Sequence, residues 1–264
     1  MANDSKMEML TQNYCNTTTQ FVVNTNTDTV SNILNPDASI QFYSDLFNND
    51  ATTVTMRINF DETKTVSRIA LKELNLKKFS IYYDGVTANA FSLTTTGSTI
   101  SSSFTTNSET SIYLRSAGVA CTSVSIDMYS TQVANSEKAV GHIYVGDTLL
   151  TFPIMPAANN YTPKIDPQQV VHPMSDGGVR IHSVKNKITA EIKLKNISRS
   201  FRDSLKDIFE RRTPFVFCPF GTTTSWDEVI LEAVWPGNFD FYKFSDDAAS
   251  SGFSGTISIR ETAS

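Results

Sequence analysis

Residues 53–60 constrain this chain more than any other segment: Val54, Met56, Ile58 and Phe60 alternate with Thr55, Arg57 and Asn59. A period of two places the apolar set on one face of a pleated strand and the polar set on the other, so the segment reads as a half-buried antiparallel strand. Composition extends that reading to the whole chain. Only 19% of the 264 residues are charged, while Thr, Ser and 17 Phe and 9 Tyr are plentiful, and β-branched and aromatic side chains pack better on pleated surfaces than on helices. The fold class expected is mostly β: an N-terminal β-sandwich, then a C-terminal antiparallel β-sandwich or barrel with one helix.

The first half reads as a succession of short strands. Ile69 and Leu71 begin a second strand, and Phe79, Ile81 and Tyr83 form a third that closes at Asp84-Gly85, a pair tolerant of positive φ and suited to a two-residue hairpin turn. A return strand is expected over 86–93, then strands at 111–114 and at Val124, Ile126 and Met128, and a polar linker over 131–138. Residues 1–20 read as a polar segment with no apolar signal-peptide core. The first domain is placed at 21–135 and the second at 136–264. Charge follows the same division: eight basic and twelve acidic residues precede 136, and fourteen and fifteen follow it.

In the second half, Ile143, Tyr144 and Val145, then Gly146-Asp147, then Leu149 and Leu150 read as a hairpin with a Gly-first turn. Pro153, Pro156, Pro163, Pro167 and Pro173 fall within 153–173. Proline removes a donor and fixes φ, so this stretch cannot be a helix or a central strand and reads as an extended arm. Val179 and Ile181, a turn near Lys185-Asn186, and Ile188, Ala190, Ile192 and Leu194 read as a long hairpin. A helix is expected over 200–212, capped by Ser200 with Asp203 in the capping-box position, with Phe201, Leu205, Ile208 and Phe209 on its apolar face and Pro214 beyond its end.

Several functions are disfavoured. A net charge of −5 and a pI near 5.2 oppose general nucleic-acid binding, which needs clustered cations. The longest apolar stretch, 134–154, is interrupted by Lys138, His142 and Asp147, so no membrane insertion is expected. Cys15, Cys121 and Cys218 are odd in number and far apart, which fits unpaired thiols. No nucleophile elbow, phosphate loop, dinucleotide fingerprint or zinc-protease motif occurs. The one local cluster of catalytic residue types is His172, Asp176 and His182; its plainer reading is a solvent-facing strand histidine and a histidine in the arm. Asp61-Glu62 and Asp246-Asp247 read as solvated turns, and Asp28, Asn35 and Asp37 are loop oxygens without an EF-hand frame. No catalytic residue, metal or cofactor is assigned, and the chain is read as a non-enzyme. Tyr43, Tyr82 and Tyr113 are the candidate ligand residues: Tyr82 falls on the face opposite Phe79, Ile81 and Tyr83, and the other two lie in or beside loops. Rings on an open β face stack on sugar C–H faces while Asn and Asp bind hydroxyls.

The order of Thr29-Val30-Ser31-Asn32-Ile33-Leu34-Asn35-Pro36-Asp37, Gln41-Phe42-Tyr43-Ser44, the alternating strand, Val66-Ser67-Arg68-Ile69-Ala70-Leu71 and Leu74-Asn75-Leu76-Lys77-Lys78-Phe79-Ser80-Ile81-Tyr82-Tyr83 resembles a discoidin-type, galactose-binding-like jelly roll, with Phe42 or Tyr43 where such modules usually carry Trp. Gly141-His142-Ile143-Tyr144-Val145-Gly146, the capped helix before Thr213-Pro214-Phe215-Val216-Phe217, and Gly255-Thr256-Ile257-Ser258-Ile259-Arg260-Glu261 resemble the tail-tube, distal-tail and baseplate modules of tailed phages. The resemblance implies a structural virion protein made in the host cytoplasm and placed at a tail tip or baseplate. It also implies self-assembly into a ring, contacts with other tail proteins, and strand and arm exchange through the five prolines' segment. The alternative is a carbohydrate-binding adhesion module for cell-surface glycans.

Overall fold

The computed structural model describes residues 6–35, 40–44, 50–91, 93–95, 98–100, 103–154, 159–174, 179–219, 229–243 and 252–262. The strands, in chain order, are β1 (Glu8–Leu10), β2 (Phe21–Val23), β3 (Phe42–Tyr43), β4 (Val54–Lys72), β5 (Leu76–Tyr83), β6 (Leu93–Thr95), β7 (Ser98–Ile100), β8 (Ser103–Phe104), β9 (Ile112–Thr131) and β10 (Ala139–Val140). They continue with β11 (His142–Gly146), β12 (Thr148–Thr151), β13 (Tyr161–Pro173), β14 (Val179–Ile197), β15 (Phe215–Cys218), β16 (Ile230–Val234), β17 (Phe241–Lys243) and β18 (Phe253–Glu261). Among the described residues, one α-helix, α1 (Arg199–Arg211), and two 3-10 segments, Thr18–Gln20 and Thr27–Leu34, accompany them. The protein is mostly β and its sheets are antiparallel.

The chain folds as two compact units, one formed by Leu10–Thr148, the other by Lys6–Met9, Leu149–Pro219 and residues from Val229 on. In the first, β4 and β9 are single long strands where shorter ones were expected. They pair from Val54 opposite Met128 to Leu71 opposite Ile112, with irregularities between Asn59 and Lys64 and between Val66 and Arg68. Extra residues at a bulge bend the strand and change which parity faces inward. Val54, Met56 and Ile58 are therefore buried as even positions and Ile69 and Leu71 as odd ones, in one core with Phe79, Ile81, Leu114, Val124, Ile126, Ile143 and Val145. The first half of β4 lies between β2 and β9, with β5 and β8 beyond; its second half lies between β11 and β9.

Some expectations change here. His142–Gly146 does not open a second domain or form a hairpin with 149–150; it pairs with β4, His142 opposite Lys72. The Asp84-Gly85 turn forms, both residues at positive φ and Val86 N–H donating to the Tyr83 carbonyl at 3.3 Å, but the expected return strand is reduced to one bridge, Ala90 to Tyr82. The segment read as polar contains β1, in which Met9 and Leu10 are fully buried, and Met7 beside it is too. Cys15, Cys121 and Cys218 are buried and not joined in disulfides.

The second unit is one sheet in the order β12-β1-β15-β16-β18-β14-β13, with β17 also pairing β18. The arm is β13, which lies at the end of that sheet. The expected turn near 185–186 is absent, and β14 runs straight through it. Gln168 pairs with Lys185 and Gln169 with Ser183, so Val184 is an extra residue on β14. A one-residue bulge flips the side-chain parity. That flip is why the apolar positions change from odd (Val179, Ile181) to even (Ile188 to Leu194), a change that in sequence resembles a turn between two strands.

The helix is capped by Ser198, not Ser200: Ser198 Oγ accepts the Phe201 N–H at 3.2 Å. It stops at Arg212, whose φ is +52°, before Pro214. Leu205 and Ile208 are buried, and Phe201 and Phe209 meet Phe152 and Trp235 at ring-centroid distances of 5.7 and 5.2 Å. Among the described residues no helix is long and apolar enough to cross a membrane.

His142 generates a prediction. It is 7% exposed on β11, and burial pushes its imidazole down to about 4; the Ile33 and Asn35 carbonyls oppose the shift and the Lys72 charge adds to it. The native state thus keeps this histidine neutral while the unfolded chain protonates it near its ordinary value of 6.5. Stability from this site is lost as pH falls from about 6.5 to about 4, by roughly 3 kcal/mol. Urea unfolding across that range should show the loss in the parent and a flatter profile in His142→Gln.

Candidate polar face of the first unit

On β4, β9 and β5 the residues between the core positions face outward together. Cross-strand register sets them in rows: Thr55, Asp127 and Ser80; then Arg57, Ser125 and Tyr82; then Asn59 and Ser123. An outward face on a sandwich is ordinarily wet. Here Ser123 and Ser125 are 0% and 1% exposed and Asp127 and Tyr82 are each 7% exposed, because the long side chains of β4 and β5 lean over the short ones of β9.

The leaning is fixed by hydrogen bonds. Asp127 Oδ1 accepts from Thr55 Oγ1 at 2.7 Å and from the Tyr82 hydroxyl at 3.1 Å, leaving Oδ2 with no hydrogen bond among the described residues. Arg57 Nε donates to Ser123 Oγ at 3.2 Å, and its η nitrogens make none among the described residues. The guanidinium lies against the Asp84-Gly85 turn so closely that a Cβ at Gly85, which sits at φ +68°, would come within 2.8 Å of Nη1. Asp84 Oδ1 accepts from Thr122 N at 2.7 Å, Thr122 Oγ1 at 2.9 Å and Ser123 N at 3.3 Å. Burial alone would raise the Asp84 pKa, but these donors and the Arg57 charge hold its carboxyl below the usual range. Burial, then the charge of Asp127, raises the Tyr82 phenol, and Ser125 opposes them. Further along the face, Lys78 Nζ stands 5.3 Å over the half-buried Tyr129 ring.

The face therefore offers an open carboxylate oxygen, an open pair of guanidinium nitrogens, hydroxyls and a ring. That is a set able to accept from one hydroxyl and donate to another while an apolar edge rests on the aromatic. Among the described residues there is no group of three His, Cys, Asp or Glu placed to hold a metal ion.

Sequence placed Tyr82 on the outward face, and it is there, but covered and hydrogen-bonded, not exposed. Tyr113, expected at a loop, lies inside β9 opposite Ala70 and is 1% exposed. Tyr43 is 39% exposed on the β3–β10 pair, its carbonyl accepting from Asn26 Nδ2 at 2.8 Å. The three tyrosines sit on three different strand pairs and do not form one site. Arg57 and Asp127 were not singled out in the sequence; their outward parity was readable, but their adjacency depends on pairing between segments about seventy residues apart.

Of the other named residues, Pro153 is exposed, Pro163, Pro167 and Pro173 are in β13, and Pro156 lies outside the described residues. His172 is exposed opposite Arg180, and His182 pairs with Val170. Asp176, Asp37 and Asp246-Asp247 lie outside the described residues. Asp28 and Asn35 fall at opposite ends of the Thr27–Leu34 segment. Glu62 is ion-paired with Lys64.

No family model and no curated protein matches the sequence. Among solved structures, similar chains include chitosan-binding module 1 from a chitosanase/glucanase of Paenibacillus sp. IK-5, at 10% identity and TM-score 0.38, covering 51% of this chain and 98% of that one. Another is CpGH89CBM32-6 of Clostridium perfringens, at 12% identity and TM-score 0.36, covering 52% of this chain and 99% of that one. A third is the pair of CBM32-1 and CBM32-2 domains of Clostridium perfringens ZmpB in complex with GalNAc, at 10% identity and TM-score 0.38, covering 53% and 36%. These neighbours are carbohydrate-binding modules, and scores this low carry none of their properties to this chain.

The Asp127 contacts are open to a direct test. In Asp127→Asn the charge that raises the Tyr82 phenol is gone, so one tyrosine should ionise at lower pH than in the parent when absorbance is followed through an alkaline titration. An unchanged titration would place the phenol away from Asp127.

Proposed function

We propose that the first unit is a carbohydrate-binding module that holds a glycan against the outer face of β4, β9 and β5. The observation that supports it is the pairing, on one sheet face beside Tyr129, of an uncommitted carboxylate oxygen on Asp127 with uncommitted η nitrogens on Arg57. A neutral sugar fits this better than a charged one. Asp84 and Asp127 stand against Arg57 and Lys78, so the face has little net charge with which to attract an ion, while its donors and acceptors suit vicinal hydroxyls.

The role is adhesion without catalysis. One charge-assisted hydrogen bond contributes about 1.5–3 kcal/mol, or roughly ten- to a hundredfold in Kd. The full chain should bind neutral oligosaccharides on a glycan array. Titration calorimetry on the best ligand should show at least tenfold weaker binding for Arg57→Ala and for Asp127→Asn, with Tyr43→Ala near the parent. Equal affinity in the first two variants rejects the site.

A second reading, a structural virion component at a phage tail tip or baseplate, is supported by the resemblance of 213–217 and 255–261 to such modules and by the second unit's combination of an antiparallel sheet with α1. Mass spectrometry of purified particles should then find this chain, and its absence from them removes the reading.

A further inference from the structure

Among the described residues β13 has β14 on one side and no strand on the other, and that outer edge carries a pattern that goes beyond glycan binding. Lys193 N–H donates to the Asn160 carbonyl at 2.8 Å, which fixes the phase of the ladder: in an antiparallel pair, alternate residues address the same neighbour. Even residues of β13, from Thr162 to His172, therefore point their N–H and C=O groups at β14, and odd residues, from Tyr161 to Pro173, point theirs at the open edge. The phase holds along the strand because the extra residue of the bulge, Val184, lies on β14.

Pro163, Pro167 and Pro173 are all odd. Three of the six outward positions from Pro163 to Pro173 thus have no N–H, leaving donors at Ile165, Gln169 and Val171 only. A strand added here would leave a carbonyl unpaired at each proline, at about 1 kcal/mol or more apiece. Without the prolines the edge would be inviting: thirteen residues long, at the end of its sheet, with Ile165 69% exposed. Such an edge is a template, and the partner that matches it in register and direction is the same strand of a second copy, turned about a two-fold axis.

We propose that Pro163, Pro167 and Pro173 are guards that keep β13 from pairing with the β13 of a second copy of this chain. The prolines then act against strand exchange, the opposite of the strap role expected of the arm from its composition.

Residue-resolved hydrogen exchange on the parent chain and sedimentation velocity on variants test this. In the parent, the amides of Ile165, Gln169 and Val171 should exchange at least a hundredfold faster than those of Thr162, Lys164, Gln168 and Val170. In the triple variant Pro163→Thr, Pro167→Thr, Pro173→Thr, a concentration-dependent dimer absent from the parent should appear, with the three outward amides newly protected. A triple variant with the parental circular dichroism spectrum and parental sedimentation overturns the proposal. If that variant does not fold, the parent decides alone: protection of the three outward amides, as strand exchange requires, overturns it, and rapid exchange confined to them upholds it.

Discussion

From Val54 opposite Met128 to Leu71 opposite Ile112, β4 and β9 form a ribbon that every other strand of the first unit's larger sheet joins directly or through one neighbour. The two interruptions in its register let one ribbon serve both halves of the unit, since each extra residue bends the strand and resets which side chains point inward. The core that results contains residues from both halves of both strands. The same ribbon fixes the polar face, because Arg57 and Asp127 come together only when this register is kept. A slip of one residue would send Met56 and Ile58 outward and Arg57 into the core. The site's geometry and the unit's stability thus rest on one pairing.

What the sequence made legible follows from how far each signal reaches. The β class was readable because alternation at 53–60 and the scarcity of charge are local. The Asp84-Gly85 turn was readable because two adjacent residues specify it. The length of β4 and β9 was not, since the bulges break the alternation where the strand continues. Val184 misled in the same way, because a parity change is common to a bulge and a turn. β1 was missed because three residues are too few to display a period. Ser198 and Ser200 are both plausible caps, and only the path of the chain into the helix chooses between them. Tyr82 shows the limit most clearly: its face was legible, its burial was not, because the side chains that cover it come from elsewhere in the chain.

The chain's low charge is consistent with how the polar face is built. With few ions, the unit satisfies its outward groups through hydroxyls: Thr55 and Tyr82 on Asp127, Ser123 on Arg57, Thr122 on Asp84. Hydroxyls both donate and accept, so they fix the orientation of each charged group while leaving part of it uncommitted. Two fully paired ions would have left nothing for a ligand.

β1 lies inside the second sheet, between β12 and β15, although residues 11–147 separate it in sequence from β12. In terms of connectivity the first unit is an insertion within the second. During synthesis β1 emerges first and waits for about 140 residues before its neighbours exist. Closing so long a loop costs on the order of 4 kcal/mol in chain entropy. A first unit that folds on its own can remove much of that cost by bringing its two ends together. Shortening the chain at its start would not trim a polar tail; it would take an interior strand out of the second sheet.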